Sequence, residues 1–419
     1  MKVVIVNDYA RINGGAAKVA LRSAIALAER GIEVEVFAGI GPALPDLEKR
    51  GIKVTTIRET PYNRDPRKLA GAIKGIWDAE AARRFKEVLK GCDPKDTIVH
   101  FHTFRDALSA SVAYAADRMG FVTVYTAHEY TLGCPYGGFF DYRRNQICHL
   151  KGLSGACLAS HCNTGAYFKK LWFYASQFVY AKIARIPRRL KHVIYLSQLS
   201  RKALAGYVPA STRSSFVSNP FDPMAGQPAP LTPDSPFLFV GSLASHKDPV
   251  TAAKAAKALG AKITFIGSGP VEEEVRAANP EAEITGWLDR NAIAERMAHG
   301  RALLFPSIWY EAQPLTTMEA AASGLSIIAA DASAAVEQIE QLGVGEVFRR
   351  GDVDDLIAKM KPYLDDAYAH ERGMAAYKAF CRLDLSEERH VNRLLEIYEA
   401  ELALAGRTSH PQPPPSVSE

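Results

Sequence analysis

Residues 301 to 324 read RALLFPSIWYEAQPLTTMEAAASG. The short apolar run Ala302 to Phe305, closed by Pro306, reads as a buried strand of a parallel sheet. A loop follows, and Pro314 then stands just inside a helix that runs to Gly324, the expected placement of proline at a helix start and glycine past its end. Glu311 lies before this helix and Glu319 inside it, so the two carboxylates flank a helix N-terminus whose free N–H groups favour an anion. Hydroxyl acceptors on both sides of a phosphate site suit a ligand built like a nucleotide-sugar. Taken alone, two glutamates at this spacing read as solvated surface residues; the strand, loop and helix around them raise the pair.

The chain around this stretch has 419 residues, too many for one core and suited to two domains. Hydrophobic residues make up 47% and charged residues 23%, an ordinary soluble globular balance. No apolar run reaches the length needed to span a bilayer. The N-terminal MKVVIVND reads as a strand rather than a signal peptide, so a cytoplasmic protein is expected. A net charge of +5 is too modest to point to nucleic acid.

Val3 to Val6, a loop with Gly14 and Gly15, an Ala-rich helix from Ala16 to Arg30 and a strand from Glu33 to Ala38 form a β-loop-α-β start. The Gly-Gly pair either lets the backbone approach a ligand at the carboxyl edge of the first strand, where open α/β sheets bind, or makes a tight turn. Val122 to Tyr125 is a later strand that ends in Thr126-Ala127-His128-Glu129, which aims His128 into a cleft unless it is simply packed. Asn219 to Thr232 is Pro-rich and reads as a linker. A second β/α series comes after it, with Gly241-Ser242-Leu243 and Lys247 after one strand and Gly267-Ser268-Gly269-Pro270 after the next. Two Gly-containing turns and a lysine at strand ends suit a phosphate cradle. The expected division is residues 1 to 220, with a Cys-containing insertion at 130 to 165, then 221 to 384. A helix over 385 to 404 crosses back to the first domain, and 405 to 419 form a disordered tail.

Two segments leave alternatives open. Cys134, Cys148, Cys157 and Cys162, with His149 and His161 beside them, read either as a structural zinc knot or as free thiols, because the spacing is not a paired CxxC. Residues 166 to 191 interleave Lys169, Lys170, Arg185, Arg188, Arg189 and Lys191 with Trp172, Phe173, Tyr174, Phe178 and Tyr180. That pattern suits either an anionic membrane surface or an ordinary helix with snorkelling cations.

On these residues the chain resembles the family 4 glycosyltransferases. The E-x7-E signature looks like Glu311 and Glu319, the glycine-x-leucine turn and lysine look like Gly241, Leu243 and Lys247, and the Gly-x-Gly-Pro turn looks like Gly267, Gly269 and Pro270. Gly14 and Gly15 look like the N-terminal glycine loop, His128 looks like the cleft histidine, and HEYTLGCP is similar to a subset of polysaccharide and lipopolysaccharide transferases. The resemblance implies the GT-B fold, an α/β architecture of two Rossmann-like domains facing across a deep cleft. It implies retaining transfer from a nucleotide-sugar, UDP- or GDP-linked in the first instance, without a catalytic metal, to a glycan or lipid-linked acceptor at the cytoplasmic membrane face. A small soluble acceptor and a catalytically silent binding protein are the alternatives. By the same carry-over Glu311 binds sugar hydroxyls and Glu319 the ribose. Lys247 and the N–H groups of Leu315 and Thr316 bind the diphosphate, and His128 contacts the donor sugar. The chain departs from the family at Ser242, where arginine is common, leaving one diphosphate cation to be supplied by Lys247 alone or by Arg11 or Arg213. It departs again at Gln313-Pro314, where Phe-Gly is common and Pro removes an N–H.

Overall fold

A computed structural model describes residues 1–221 and 230–408. The middle of the expected linker, 222–229, and the tail from 409 onward lie outside the described residues. The first domain is built on seven parallel strands: β1 (Lys2–Tyr9), β2 (Glu33–Ile40), β3 (Lys53–Arg58), β4 (Thr97–Phe101), β5 (Val122–Thr126) and, beyond an insertion, β8 (His192–Tyr195) and β9 (Arg213–Phe216). The insertion carries a small antiparallel hairpin, β6 (Phe140–Asp141) and β7 (Gln146–Ile147). The sheet order is β3-β2-β1-β4-β5-β8-β9. Val3 to Val6 are fully buried, because helices cover both faces of this central strand.

The second domain repeats the plan with six parallel strands, β10 (Phe237–Val240), β11 (Ile263–Ile266), β12 (Glu283–Gly286), β13 (Leu303–Phe305), β14 (Ile327–Ala330) and β15 (Glu346–Phe348), in the order β12-β11-β10-β13-β14-β15. Each sheet reverses its winding once, between β1 and β4 in the first domain and between β10 and β13 in the second. The loops leaving these strands must part there and leave a crevice at their carboxyl ends. The two crevices face each other.

Several contacts join the domains, the following among them. The Glu387–Thr408 helix lays Val391, Leu394, Ile397 and Tyr398 into the core of the first domain. Its Glu401 pairs with Arg213 and His192. Residues 405 to 408, assigned to a tail by sequence, continue this helix. Glu337 of the second domain accepts the N–H groups of Gln198 and Leu199 at 2.8 and 2.6 Å, at the start of the Gln198–Leu204 helix. The insertion hairpin supplies Phe140 and Ile147 to an apolar cluster with Ile308 and Ala332 of the second domain. The hairpin therefore straps one side of the cleft.

Candidate active site

A cavity of about 510 Å³ lies between the two crevices, lined by Gly15, Ala16, His128 and Glu129 from the first domain and by Gly241, Ser242, Lys247, Glu311, Pro314, Leu315 and Thr316 from the second. Residues scattered over three hundred positions meet here because each stands beyond the carboxyl end of a parallel strand, β1 or β5 in the first domain and β10 or β13 in the second.

Two helix N-termini open into it. The Gly15–Glu29 helix begins at Gly14, and the Leu315–Ala322 helix begins at Pro314; neither has a side-chain cap, so their first N–H groups remain available as donors. Gly14 is extended, with φ 172°, and a Cβ on Gly14 or Gly15 would meet nothing within 4 Å. Neither backbone conformation nor packing demands glycine there. The tight-turn reading loses its ground, and close approach of a ligand keeps its own. Pro314 is the N-cap residue, outside the helix rather than just inside it. Its missing N–H is thus not one of the helix's free donors, which start at Leu315.

Lys247 is the only cation lining the cavity among the described residues. Its ammonium donates to Glu311 Oε1 at 2.5 Å, and Ser307 Oγ donates to the same oxygen at 2.7 Å. Burial alone would raise the Glu311 carboxyl; the Lys247 charge and these hydrogen bonds outweigh it and hold the group below its usual range. Lys247 has two further N–H donors. Neither candidate for the second diphosphate cation reaches the cavity. Arg11 donates to the Gly41 carbonyl and Arg213 is engaged by Glu401, so both leave the expected role. Gln313 accounts for the other departure: its Oε1 accepts the N–H of Asn219 at 2.8 Å and ties the end of the first domain to the cleft loop.

His128 closes the first-domain side. Its Nε2 shares a hydrogen bond of 2.9 Å with His102 Nδ1, their rings stacked at 5.2 Å. Burial holds His128 down to about 3 and His102 well below the usual value, so both are neutral across the physiological range. Beside it, burial pushes Glu129 up to about 7, with the Asp106 charge adding to the effect. The folded chain therefore holds that proton more tightly than the unfolded chain between the ordinary carboxylate range and about pH 7. Stability falls as pH rises through this window. Glu129→Gln is expected to gain roughly 1–3 kcal/mol over wild type near pH 8 and nothing near pH 4. Urea unfolding of both proteins at the two pH values checks this.

Several sequence-predicted residues lie elsewhere. Gly267 and Gly269 do not line the cavity: a Cβ on Gly267 would stand 2.0 Å from the Gly241 carbonyl oxygen, and one on Gly269 would stand 2.3 Å from that of Leu243. Their part is to let the 267–269 turn press against the back of the 241–243 turn, where Leu243 N–H donates to the Ser268 carbonyl at 3.0 Å. Gly14 caps the helix without lining, and Glu319 sits half-buried one turn into the helix, within electrostatic reach of Lys18 and Arg290. The four cysteines do not form the expected zinc knot. No group of three or more His, Cys, Asp or Glu among the described residues is placed to hold a metal. Instead the buried Lys170 ammonium lies 3.2 Å from Cys162 Sγ and 3.6 Å from Cys157 Sγ, occupying the space between those thiols. The insertion is held by packing instead. Tyr142 and Phe140 meet His246 across the cleft, and His246 meets Trp309 with ring centroids 4.9 Å apart. Sequence reasoning passed over Tyr142, His246 and Trp309, which carry no motif; only the aromatic content of the insertion hinted at them.

The profile described as Glycosyltransferase Family 4 matches residues 13–224, and that described as Glycosyl transferases group 1 matches residues 227–379. The chain belongs to glycosyltransferase family 4. It is a glycosyltransferase of the GT-B fold. Solved structures share that fold at low identity. A sucrose-phosphate synthase from Thermosynechococcus elongatus superposes with a TM-score of 0.68 at 16% identity, over 96% of this chain and 99% of that one. HepE of Anabaena in complex with UDP gives 0.66 at 16%, over 96% and 100%. WaaG, a glycosyltransferase involved in lipopolysaccharide biosynthesis, gives 0.61 at 15%, over 94% and 99%. No curated protein sequence matches it. None of the described helices is long and apolar enough to cross a membrane.

Proposed function

We propose that this glycosyltransferase moves a sugar, with retention of anomeric configuration, from a nucleotide-sugar to a glycan or lipid-linked acceptor of cell-surface polysaccharide synthesis. One observation carries the reading. Two uncapped helix N-termini, one from each domain, and a single lysine converge on the cavity that also holds a partly buried carboxylate and a neutral histidine. Free N–H groups and an ammonium suit the diphosphate, whose charge grows as the glycosidic bond breaks. They supply what the missing arginine at Ser242 would have supplied. Glu311, ionised and fixed by Lys247 and Ser307, is placed to accept hydrogen bonds from donor-sugar hydroxyls. Neutral His128 offers one ring nitrogen to the sugar while His102 holds the other. Glu319 lies four residues beyond Leu315 on the same helix face and is assigned the ribose.

No second carboxylate is needed as nucleophile in this reading. The acceptor hydroxyl attacks from the face the diphosphate leaves, and its proton passes to the departing phosphate oxygen, with catalysis resting on positioning. HepE is crystallised with UDP and with UDP-glucose, and WaaG is described as a lipopolysaccharide enzyme, which supports a UDP-sugar donor and a surface-glycan acceptor. Thermal stabilisation by a panel of UDP-, GDP-, dTDP- and ADP-sugars tests the donor side. One nucleotide class should raise the melting temperature by several degrees at saturating concentration, as binding to the folded state alone requires. No response to any class would contradict the reading.

A further inference from the structure

In the first domain the helices Lys68–Ile76 and Tyr167–Phe178 lie side by side, and Phe173 of the latter packs on Tyr136 of the cavity wall. Trp172 Nε1 donates to the Ala72 carbonyl at 2.8 Å, and the indole packs so closely on Gly75 that a Cβ there would meet it at 2.5 Å. Large apolar side chains stand in water on this pair and on the turn after it. Leu69 is 76% exposed, Phe168 74%, Ile183 60% and Ile73 58%. A monomer seldom leaves so many together without a use. Residues 66–76 and 166–191 contain no Asp or Glu, while Lys68, Lys169, Lys182, Arg185, Arg188 and Lys191 are exposed among them. Two cations that the sequence alone would have counted are withdrawn: Lys170 is buried against the thiols and Arg189 pairs with Asp117.

Beside this face a groove of about 500 Å³ brings Lys151 of the insertion to Lys182 and Arg188, with Ser154, Gly152 and Tyr207 between them. No carboxylate lines it, and none of its three cations has an ion-pair partner among the described residues. We propose that this face docks on an anionic membrane surface, with Leu69, Ile73, Phe168 and Ile183 entering the headgroup boundary and the groove taking the phosphate of an anionic phospholipid. Apolar tips beside a surplus of cations, with Asp65 next to the Lys68–Ile76 helix paired to Arg67, match the interfacial layer of such a bilayer. A second copy of the chain fits poorly, because it would set this uncompensated positive charge against itself. The face shares no lining residue with the donor cavity, so its failure and that of the proposed transfer are separable.

The test is flotation of the full chain with phosphatidylcholine vesicles, with and without phosphatidylglycerol. Wild type should bind the anionic vesicles, less so as salt rises, and leave neutral ones. Lys182→Gln with Arg188→Gln should lower the partition coefficient roughly 25-fold, at about five-fold per cation. Leu69→Ser with Phe168→Ser should lose binding with its circular dichroism and donor binding intact. Three results would overturn the proposal. The variants could bind as wild type does. A dimer could dissolve in the Leu69→Ser, Phe168→Ser protein, making the face a contact between copies. Or inorganic phosphate could stabilise the wild type, and not the cation variant, without any vesicle binding, making the groove a soluble-anion site.

Discussion

Glu311→Gln is expected to lower kcat/KM for sugar transfer by about 10²–10³, comparable with removing one preorganised polar contact at a reacting centre, or about 2.7–4 kcal/mol. The carboxylate is ionised because Lys247 and Ser307 hold it so against its burial. Gln keeps the volume and leaves a carbonyl oxygen for both donors, so the fold should survive and nucleotide binding should change little. The loss should therefore appear in kcat, with the Kd for free nucleoside diphosphate within about three-fold of wild type. An equal loss in nucleotide affinity would move Glu311 from the sugar to the diphosphate. Steady-state kinetics beside calorimetric titration of the diphosphate separates these outcomes.

Lys247→Met should have the second largest effect, and a different signature. The ammonium is the only cation on the cavity wall among the described residues, and two of its three donors are unused in the Glu311 pair. Removing it should weaken diphosphate binding at least ten-fold, about 1.4 kcal/mol, and reduce kcat as well, because leaving-group charge is larger in the transition state than in the bound donor. It also removes the influence that keeps Glu311 low. Burial, the largest influence on that carboxyl, would then be opposed only by hydrogen bonds from Ser307 and Trp309, so the group should rise relative to wild type. The residual activity of the variant should require Glu311 ionised and so fall away on the acidic side at higher pH than in wild type. A pH profile of kcat/KM that kept its acidic limb in place would show that the two residues are not coupled in the working enzyme. Methionine keeps an unbranched side chain of similar length beside Phe305 and Trp309, whose ring centroids lie 5.8 Å from the ammonium it replaces, so a packing defect is not expected to mimic the result.

The parts of this site that could be read from sequence are those fixed by their position at the end of a strand. Gly241, Lys247, His128 and Glu311 each lie just past an apolar run, and parallel sheets place such residues at one edge. Two Rossmann-like halves were legible for the same reason. Contact between segments far apart in the chain was beyond the reach of sequence. Nothing in the run from 267 to 270 says that its glycines serve the packing of a second turn rather than the ligand. Cysteine spacing does not reveal that the Lys170 side chain lies between Cys157 and Cys162. The Lys68–Ile76 helix became part of the exposed face only through Trp172, a hundred residues away. The strap formed by Phe140, Tyr142, His246 and Trp309 depends on the domains closing over one another, which no local pattern encodes.

The central claim is that the Lys247–Glu311 cavity is where a nucleotide-sugar is turned over. It is tested most directly by measuring nucleoside diphosphate release from UDP-, GDP-, dTDP- and ADP-sugars by wild type and Glu311→Gln side by side. One donor class should be turned over by wild type, and should bind to the variant without comparable release, about 10²–10³ slower. Release by Glu311→Gln at the wild-type rate would contradict the account.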